Sequence, residues 1–416
     1  MSVQTALFPN IDLVCRECGT RYAPEPRSIC TECFGPVEVQ HDLDALRGRV
    51  TRERIAAWPA TLWRYRDLLP VPEDADLVDL RAGFTPLRRA RNLGRRLGIR
   101  ELYIKDDTRN PTGSFKDRVV AVALTAARAF GYDTVGCAST GNLASAVAAA
   151  AAWAGLDAYI FVPADLERPK VVGTAAFGAT VVAVDGTYDD VNRLVTQVAD
   201  AQPWAFVNVS LRAFYAEGSK TLGFETAEQL DWRLPDHVVV PVASGALFTK
   251  IHKGFRQLTE LGLVEDRAVR FSGAQAAGCA PVATAFKDGT DEPQPVKPRT
   301  IAKSLAIGNP ADGHYASRLA RDAGGAIEDV TDDEIVGGIR LLAETEGLFT
   351  ETAGGVTIAT LAKLREAGVI GEDEVTVAYV TGTGWKTAEV LENRVGPSFT
   401  VPPSLDAFEH ELRKER

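Results

Sequence analysis

The sequence is short of everything that marks a membrane-spanning, exported or nucleic-acid-binding chain. Its longest stretch of low polarity, residues 143–156, is fourteen mostly alanine residues, where a spanning helix needs roughly 18 or more. Residues 1–13 lack the basic start and apolar block of a secretory leader, so a cytoplasmic chain is expected. Six cysteines in 416 residues do not make a disulfide scaffold. The five histidines, His41, His237, His252, His314 and His410, fall at no ligand spacing and read as structural. Basic charge is in deficit: 46 Lys+Arg against 56 Asp+Glu leave −10 at pH 7. That argues against a nucleic acid or an anionic membrane surface as partner, since both need a clustered positive field. No Gly-x-x-x-x-Gly-Lys-Ser/Thr loop is present, so nucleotide hydrolysis is not indicated, and the lack of Gly-x-Gly-x-x-Gly argues against a dinucleotide fold. What remains is ordinary: 45% apolar and 25% charged residues, and a length that suggests two domains, or three if one is small.

The cysteines that are present come mostly in pairs. Cys15-x-x-Cys18 and Cys30-x-x-Cys33 are separated by eleven residues, the spacing of two knuckles that close one tetrahedral zinc site. With four thiolates and no open position, such a site is structural. A segment this small buries little core of its own, so a metal would supply its folding energy. The plainer alternative is four unligated thiols in a loop-rich extension. Cys137 and Cys279 read as small buried apolar residues.

Residues 41–80 are charged, with Trp58 and Trp63 and no repeat, and read as a helical connector. From about residue 83 the pattern is α/β. Extended runs at 134–137, 158–162, 179–184, 205–209, 237–242, 269–273 and 375–380 alternate with helical periodicity at 117–130, 143–154, 189–201, 219–230 and 246–261. Buried parallel strands joined by helices follow, with small-residue turns placing function at the carboxyl ends of the strands. Arg91, Arg95 and Arg96 read as a solvated helix face, and 409–416 as a solvated or frayed end.

Four segments carry chemistry. In Asn110-Pro111-Thr112-Gly113-Ser114-Phe115-Lys116-Asp117-Arg118, Pro111 and Gly113 force a turn, Ser114 is placed to cap the following helix, and Lys116 falls in its first turn. The positive end of a helix dipole is a poor place for a structural cation. It suits a lysine that works as a neutral amine, in a Schiff base or as a general base; the plain reading is a surface lysine. Ala138-Ser139-Thr140-Gly141-Asn142 opens the alanine-rich helix and presents amides to a carboxylate or phosphate, with Asn142 able to donate to an aromatic oxygen. Ala243-Ser244-Gly245-Ala246-Leu247 repeats the device after another strand and suits a phosphate. Thr381-Gly382-Thr383-Gly384 follows strand 375–380 and puts a hydroxyl, not a carboxylate, toward whatever heterocycle fills the cleft.

Together these segments resemble the fold type II pyridoxal-phosphate enzymes, and within them the threonine synthases. The resemblance runs from Gly83-Phe84-Thr85-Pro86-Leu87 to about Lys386, through Ala216-Glu217-Gly218-Ser219-Lys220-Thr221 and Ile307-Gly308-Asn309-Pro310. The Cys pairs resemble an extension found on longer members. The resemblance implies a two-domain α/β architecture like that of the tryptophan synthase beta chain. A zinc-ribbon-like extension would span 1–45, a large cofactor-binding domain 46–120 with 216–400, a small domain 121–215, and a tail 401–416. Lys116 would hold the cofactor as a Schiff base and shuttle protons, and Asn142 would bond its ring hydroxyl. Ala243, Ser244, Gly245, Ala246 and Leu247 would hold its phosphate, and Thr381 its ring nitrogen. Ser139, Thr140, Gly141 and Asn142 would take the substrate carboxylate, and Thr85 and Ser210 would line the pocket. The implied reaction makes L-threonine from O-phospho-L-homoserine and water, in a homodimer.

The chain departs from the family where substrate phosphate is bound. Tyr215 stands at the usual arginine, leaving Arg212, three residues earlier, as the candidate. Ala306 replaces an arginine before Ile-Gly-Asn-Pro, and Thr383 a histidine between two glycines. Two rivals follow: another enzyme of the same fold, such as a serine/threonine ammonia-lyase or a β-replacing synthase, or a regulatory or metal-carrying protein with a decayed pocket.

Overall fold

Strand-forming residues gather into three sheets in the computed structural model, which describes residues 7–414 other than Thr140, Glu167, Thr187 and Asn393. A small antiparallel sheet holds β1 (Ile11–Cys15), β2 (Arg21–Tyr22) and β3 (Val37–His41), in the order β2-β1-β3. A six-stranded sheet is built from β4 (Leu87–Arg89), β5 (Glu101–Asp106), β10 (His237–Pro241), β11 (Arg270–Ala276), β12 (Ile327–Val330) and β13 (Val375–Val380). Its order is β12-β11-β10-β13-β5-β4, parallel except for β4 at the edge. A fully parallel four-stranded sheet, β8-β7-β6-β9, holds β6 (Thr134–Ala138), β7 (Asp157–Pro163), β8 (Thr180–Val184) and β9 (Ala205–Phe206).

The carboxyl ends of β5, β10 and β13 in the larger sheet, and of β6 in the smaller, lead into the loops singled out in the sequence. Helices Lys116–Ala129, Asn142–Ala154 and Ala246–Glu260 start directly after such loops. Within two residues at each end, five of the seven expected strands and all five expected helices form. β11 runs on to Ala276. β9 stops at Phe206, three residues early, because the Ser210 hydroxyl bonds both the amide and the carbonyl of Phe206 and turns the chain out of the ladder. β5 and helices Asp332–Glu346 and Thr352–Glu366 carry no expectation from the pattern.

Two expectations change. The small sheet does not rely on a metal alone. Ile11, Leu13, Val37 and Val39 alternate inward and, with Phe8, join the core that surrounds helix Lys116–Ala129. Phe8, Phe130 and Phe214 form one aromatic cluster, with ring centroids 5.1 to 5.7 Å apart. Residues 41–80 are more than a connector. Trp63 is buried against Ala121 and Val122, and the segment forms short helices at Leu43–Leu46, Arg52–Ala56 and Leu62–Leu68. Cys137 and Cys279 are buried free thiols, and Arg91, Arg95 and Arg96 lie on the exposed face of helix Arg91–Leu97. The carboxyl end forms helix Leu405–Lys414 with no buried residue. Among the described residues no helix is long and apolar enough to cross a membrane.

Candidate active site

Lys116 is positioned by a stitched turn. Phe115 donates its amide to Thr381 O at 2.9 Å, Thr383 donates to Gly113 O at 2.9 Å, and Ser114 bridges Gly382. Gly113 permits the close approach: it sits at φ +77°, and a Cβ there would come within 2.8 Å of Thr383 Cγ2. The loop before Lys116 is thereby tied to the loop after β13. Lys116 is half-buried, and its Nζ donates to the Tyr215 hydroxyl at 2.9 Å. Asp117, next in sequence, accepts from the Thr112 amide and hydroxyl, both at 2.8 Å.

Asn142 and Thr381, from different sheets, meet on one carboxylate. Asn142 Nδ2 donates to Glu351 Oε2 at 2.8 Å, and Thr381 Oγ1 to Glu351 Oε1 at 3.4 Å. Lys386 Nζ donates to Asn142 Oδ1 at 3.0 Å. Burial pushes the Glu351 carboxyl up from its ordinary value, opposed by the Asn142 hydrogen bond and Lys386; burial pushes the Lys386 ammonium down, opposed by Glu351. The sequence put a hydroxyl toward the cleft at Thr381, and the structure adds a carboxylate beside it. Ser139 caps helix Asn142–Ala154, accepting from the Gly141 amide at 3.3 Å and the Ala144 amide at 3.2 Å. Thr140 lies outside the described residues.

The 243–247 turn forms the nest that its sequence suggests. Gly245 occupies φ +97° as the N-cap of helix Ala246–Glu260; the Ala246 amide reaches the Ser244 hydroxyl at 3.5 Å, and the amides that follow in the first turn have no acceptor within the helix. A Cβ on Gly245 would lie 2.5 Å from Asp312 O. The Asp312 amide donates to Ser244 O at 2.8 Å. Arg212 binds Asp312 Oδ2 at 2.6 Å, which brings it beside this nest.

Two expected pocket residues have their hydroxyls committed elsewhere. Thr85 is buried; its hydroxyl donates to Asp107 Oδ1 at 2.6 Å and accepts from Arg118 Nη2 at 3.0 Å. Arg118, fully buried, also pairs with Asp107 at 2.7 Å and with Glu225, and Lys105 pairs with Glu225 at 2.6 Å. The Ser210 hydroxyl serves the turn after β9. Glu351, Lys386, Asp312 and the role of Tyr215 as amine partner went unread in the sequence. The available signals were an acid directly before a small-residue helix start, Glu351-Thr352-Ala353-Gly354-Gly355, and a lysine two residues after Gly384.

Cys15, Cys18, Cys30 and Cys33 converge, with all four sulfurs within 4.8 Å of one another. Cys15 and Cys33 sulfurs are 3.4 Å apart, and those of Cys18 and Cys30 3.6 Å. A zinc ion with bonds of about 2.3 Å spaces tetrahedral sulfurs by about 3.8 Å, so the donor set fits zinc.

The cleft fits pyridoxal phosphate on the structure's own terms. It offers a lysine amine held by one hydroxyl, a helix N-terminus behind a left-handed glycine, and a buried Ser114 hydroxyl that has no partner among the described residues. The chain belongs to the pyridoxal-phosphate dependent enzymes, whose family model matches residues 78–382. Within that class it belongs with the threonine synthases. It is 38% identical over 374 residues to threonine synthase of Methanocaldococcus jannaschii, covering 89% of this chain and 92% of the other. It is 36% identical over 399 residues to that of Methanosarcina acetivorans, covering 95% and 97%. Among solved structures, the processed form of threonine deaminase isoform 2 from Solanum lycopersicum superposes with a TM-score of 0.62 at 23% identity, covering 74% of this chain and 87% of the other. Maize serine racemase gives 0.63 at 19%, covering 80% and 94%. At such identities the likeness is one of fold, and it is the α/β fold type II architecture that the motifs imply.

Proposed function

We propose that this chain makes L-threonine from O-phospho-L-homoserine and water, releasing phosphate. The observation that carries the reading is Lys116: a lysine in the first turn of a helix, its amine on Tyr215 and its turn stitched to the Thr381 loop. The reaction removes protons from Cα and Cβ, expels phosphate from Cγ and adds water at Cβ. No side chain stabilises those carbanions unaided, and pyridoxal phosphate supplies the electron sink. Lys116 would hold that cofactor and, when released, move protons at its Nζ, with the Tyr215 hydroxyl keeping the amine in place. Asn142 would bond the ring hydroxyl, and Thr381 the ring nitrogen. The Thr381 hydroxyl, unlike an aspartate, does not hold that nitrogen protonated, which disfavours leakage into transamination. Ala243, Ser244, Gly245, Ala246 and Leu247 would hold the cofactor phosphate. Ser139, Gly141 and Asn142, with Thr140, would take the substrate carboxylate, while Arg212 is the candidate for its phosphate.

The same reading places structural zinc on Cys15, Cys18, Cys30 and Cys33. It assigns the six-stranded sheet to the large domain and the four-stranded sheet to the small one, in a cytoplasmic homodimer; sedimentation and cell fractionation test the last two points. A second reading, an ammonia-lyase or β-replacing synthase of the same fold, draws on Tyr215, Ala306 and Thr383 at the family's phosphate positions. Steady-state assay separates the two. Phosphate and threonine released from O-phosphohomoserine support the proposal, whereas keto acid and ammonia from serine or threonine, with no phosphate release, refute it.

A further inference from the structure

The tip of the first cysteine knuckle leaves its own sheet and reaches the nest beside the cleft. Arg16 lies between Cys15 and Cys18, and its amide is fixed on Pro36 O at 3.0 Å. Its guanidinium lies 3.3 Å over the Tyr315 ring and binds Asp312 Oδ1 at 3.0 Å. The adjacent Glu17 accepts from the Tyr315 hydroxyl, so two consecutive knuckle residues dock on one segment. Asp312 gives its second oxygen to Arg212 at 2.6 Å, and its backbone is part of the Ser244–Gly245 nest. Arg212 is one helical turn before Tyr215, the partner of the Lys116 amine.

Asp312 is one carboxylate shared by two guanidiniums, with Glu17 and Glu38 as further acids on the Arg16 side. The Asp312 side chain is 6% exposed, that of Arg16 17% and that of Arg212 30%, so Arg212 is the partner open to an incoming anion while the Arg16–Asp312 pair is less screened than one at the surface. We propose that Arg16 is a positioning residue for the phosphate of the substrate: it retains Asp312 while Arg212 turns from that carboxylate to the incoming phosphate. The proposal rests on the threonine synthase reading and names how a chain with Tyr215, Ala306 and Thr383 binds a phosphorylated substrate. Without Arg16, Arg212 and Asp312 form a closed neutral pair, and a phosphate dianion must compete with Asp312 for its ligand. With Arg16 in place, Asp312 stays paired throughout, and the guanidinium of Arg212 is free to meet phosphate through two parallel N–H donors.

The test uses holoenzyme and two probes, O-phosphohomoserine in turnover and inorganic phosphate in equilibrium binding. Arg16→Ala should raise the KM for substrate and the Kd for phosphate severalfold, with a much smaller change in kcat and the visible spectrum of the bound cofactor unaltered. Arg16→Lys should recover part of the loss. Asp312→Asn introduced into Arg16→Ala should restore phosphate affinity, because it releases Arg212 from its lock; a merely structural Arg16 would not be rescued in this way. Unchanged phosphate affinity in Arg16→Ala overturns the proposal. So does a loss of kcat, cofactor spectrum and thermal stability together that Asp312→Asn fails to reverse. If phosphate binding follows this pattern but O-phosphohomoserine is not turned over, the functional reading fails while the arginine assignment stands for an anion site.

Discussion

Lys116 and Arg118 lie two residues apart and are built for opposite tasks. Lys116 is half-buried with a single hydroxyl partner, the situation of an amine meant to change partners. Lys116→Ala should therefore abolish turnover and remove the visible absorption of the reconstituted protein, while a circular-dichroism melt stays near that of the parent; retained activity would exclude the assignment. Arg118 is locked. Despite burial, which alone would raise it, Glu225 is held down to about 2 by Arg118 and Lys105, so both partners are charged in the interior. Removing one partner of such a pair strands the other. Arg118→Ala should cost about 3–5 kcal/mol by urea unfolding, with the Thr85 loop loosened as well. An Arg118→Ala protein as stable as the parent would show that the network relaxes without loss.

At the scale of elements, helix Ala246–Glu260 works at its start and along its body. At its start, Gly245 is confined by its left-handed φ and by Asp312 O at 2.5 Å from a Cβ. Gly245→Ala should strain the nest by on the order of 1–3 kcal/mol and weaken cofactor affinity about tenfold or more, read by cofactor titration; parental affinity would mean that the nest does not hold the phosphate. Further along, Lys250 binds Glu38 of β3 at 2.7 Å. Burial pushes Glu38 up, but Lys250 and Lys253 prevail and bring it from an ordinary 4.5 to about 2. A depressed carboxylate stabilises the fold fully above its unfolded value and loses that contribution as pH falls through its folded one. Stability should thus decline between pH 4.5 and 2, and Glu38→Gln should flatten that limb in pH-dependent melts. An identical acid profile for parent and variant would show that this ion pair does not couple the small sheet to the body. The sequence made such helices legible because their apolar faces repeat every three or four residues. It hid β5, whose run Glu101-Leu102-Tyr103-Ile104-Lys105-Asp106 mixes charge into a strand that the fold buries by pairing Lys105 with Glu225. Loop motifs singled out Lys116, Asn142 and Thr381, and the structure brings the last two onto Glu351. Glu351 and Asp312 acquire their meaning only when strands distant in sequence bring Thr381 and Ser244 beside them.

Over the whole molecule, the question is what binds the cysteine-bearing sheet to the body. Its strands share the core around helix Lys116–Ala129 through Phe8, Leu13 and Val39, and Arg16 and Glu38 add polar links at Asp312 and Lys250. The core contacts and the Glu38–Lys250 pair lie on β1 and β3, outside the knuckles, whereas the segment between Cys15 and Cys33 that carries Arg16 contains little beyond the two-residue β2 and turns. Its conformation depends on whatever draws the four sulfurs together. Zinc removal should therefore act locally: β1 and β3 stay docked while the knuckles open. Purified protein should contain about one zinc per chain by elemental analysis, as a four-thiolate site requires. Chelation should expose Arg21 and Arg27 to trypsin well before cleavage elsewhere. Because Arg16 rides on the same knuckle, the chelated enzyme should also show a raised KM for the phosphorylated substrate with its cofactor spectrum intact. Zinc-free protein that resists trypsin at those arginines as well as the parent would mean that packing alone shapes the knuckles. Chelation that instead unfolds the whole chain would mean that the small sheet, despite its shared core, is held in place by the metal.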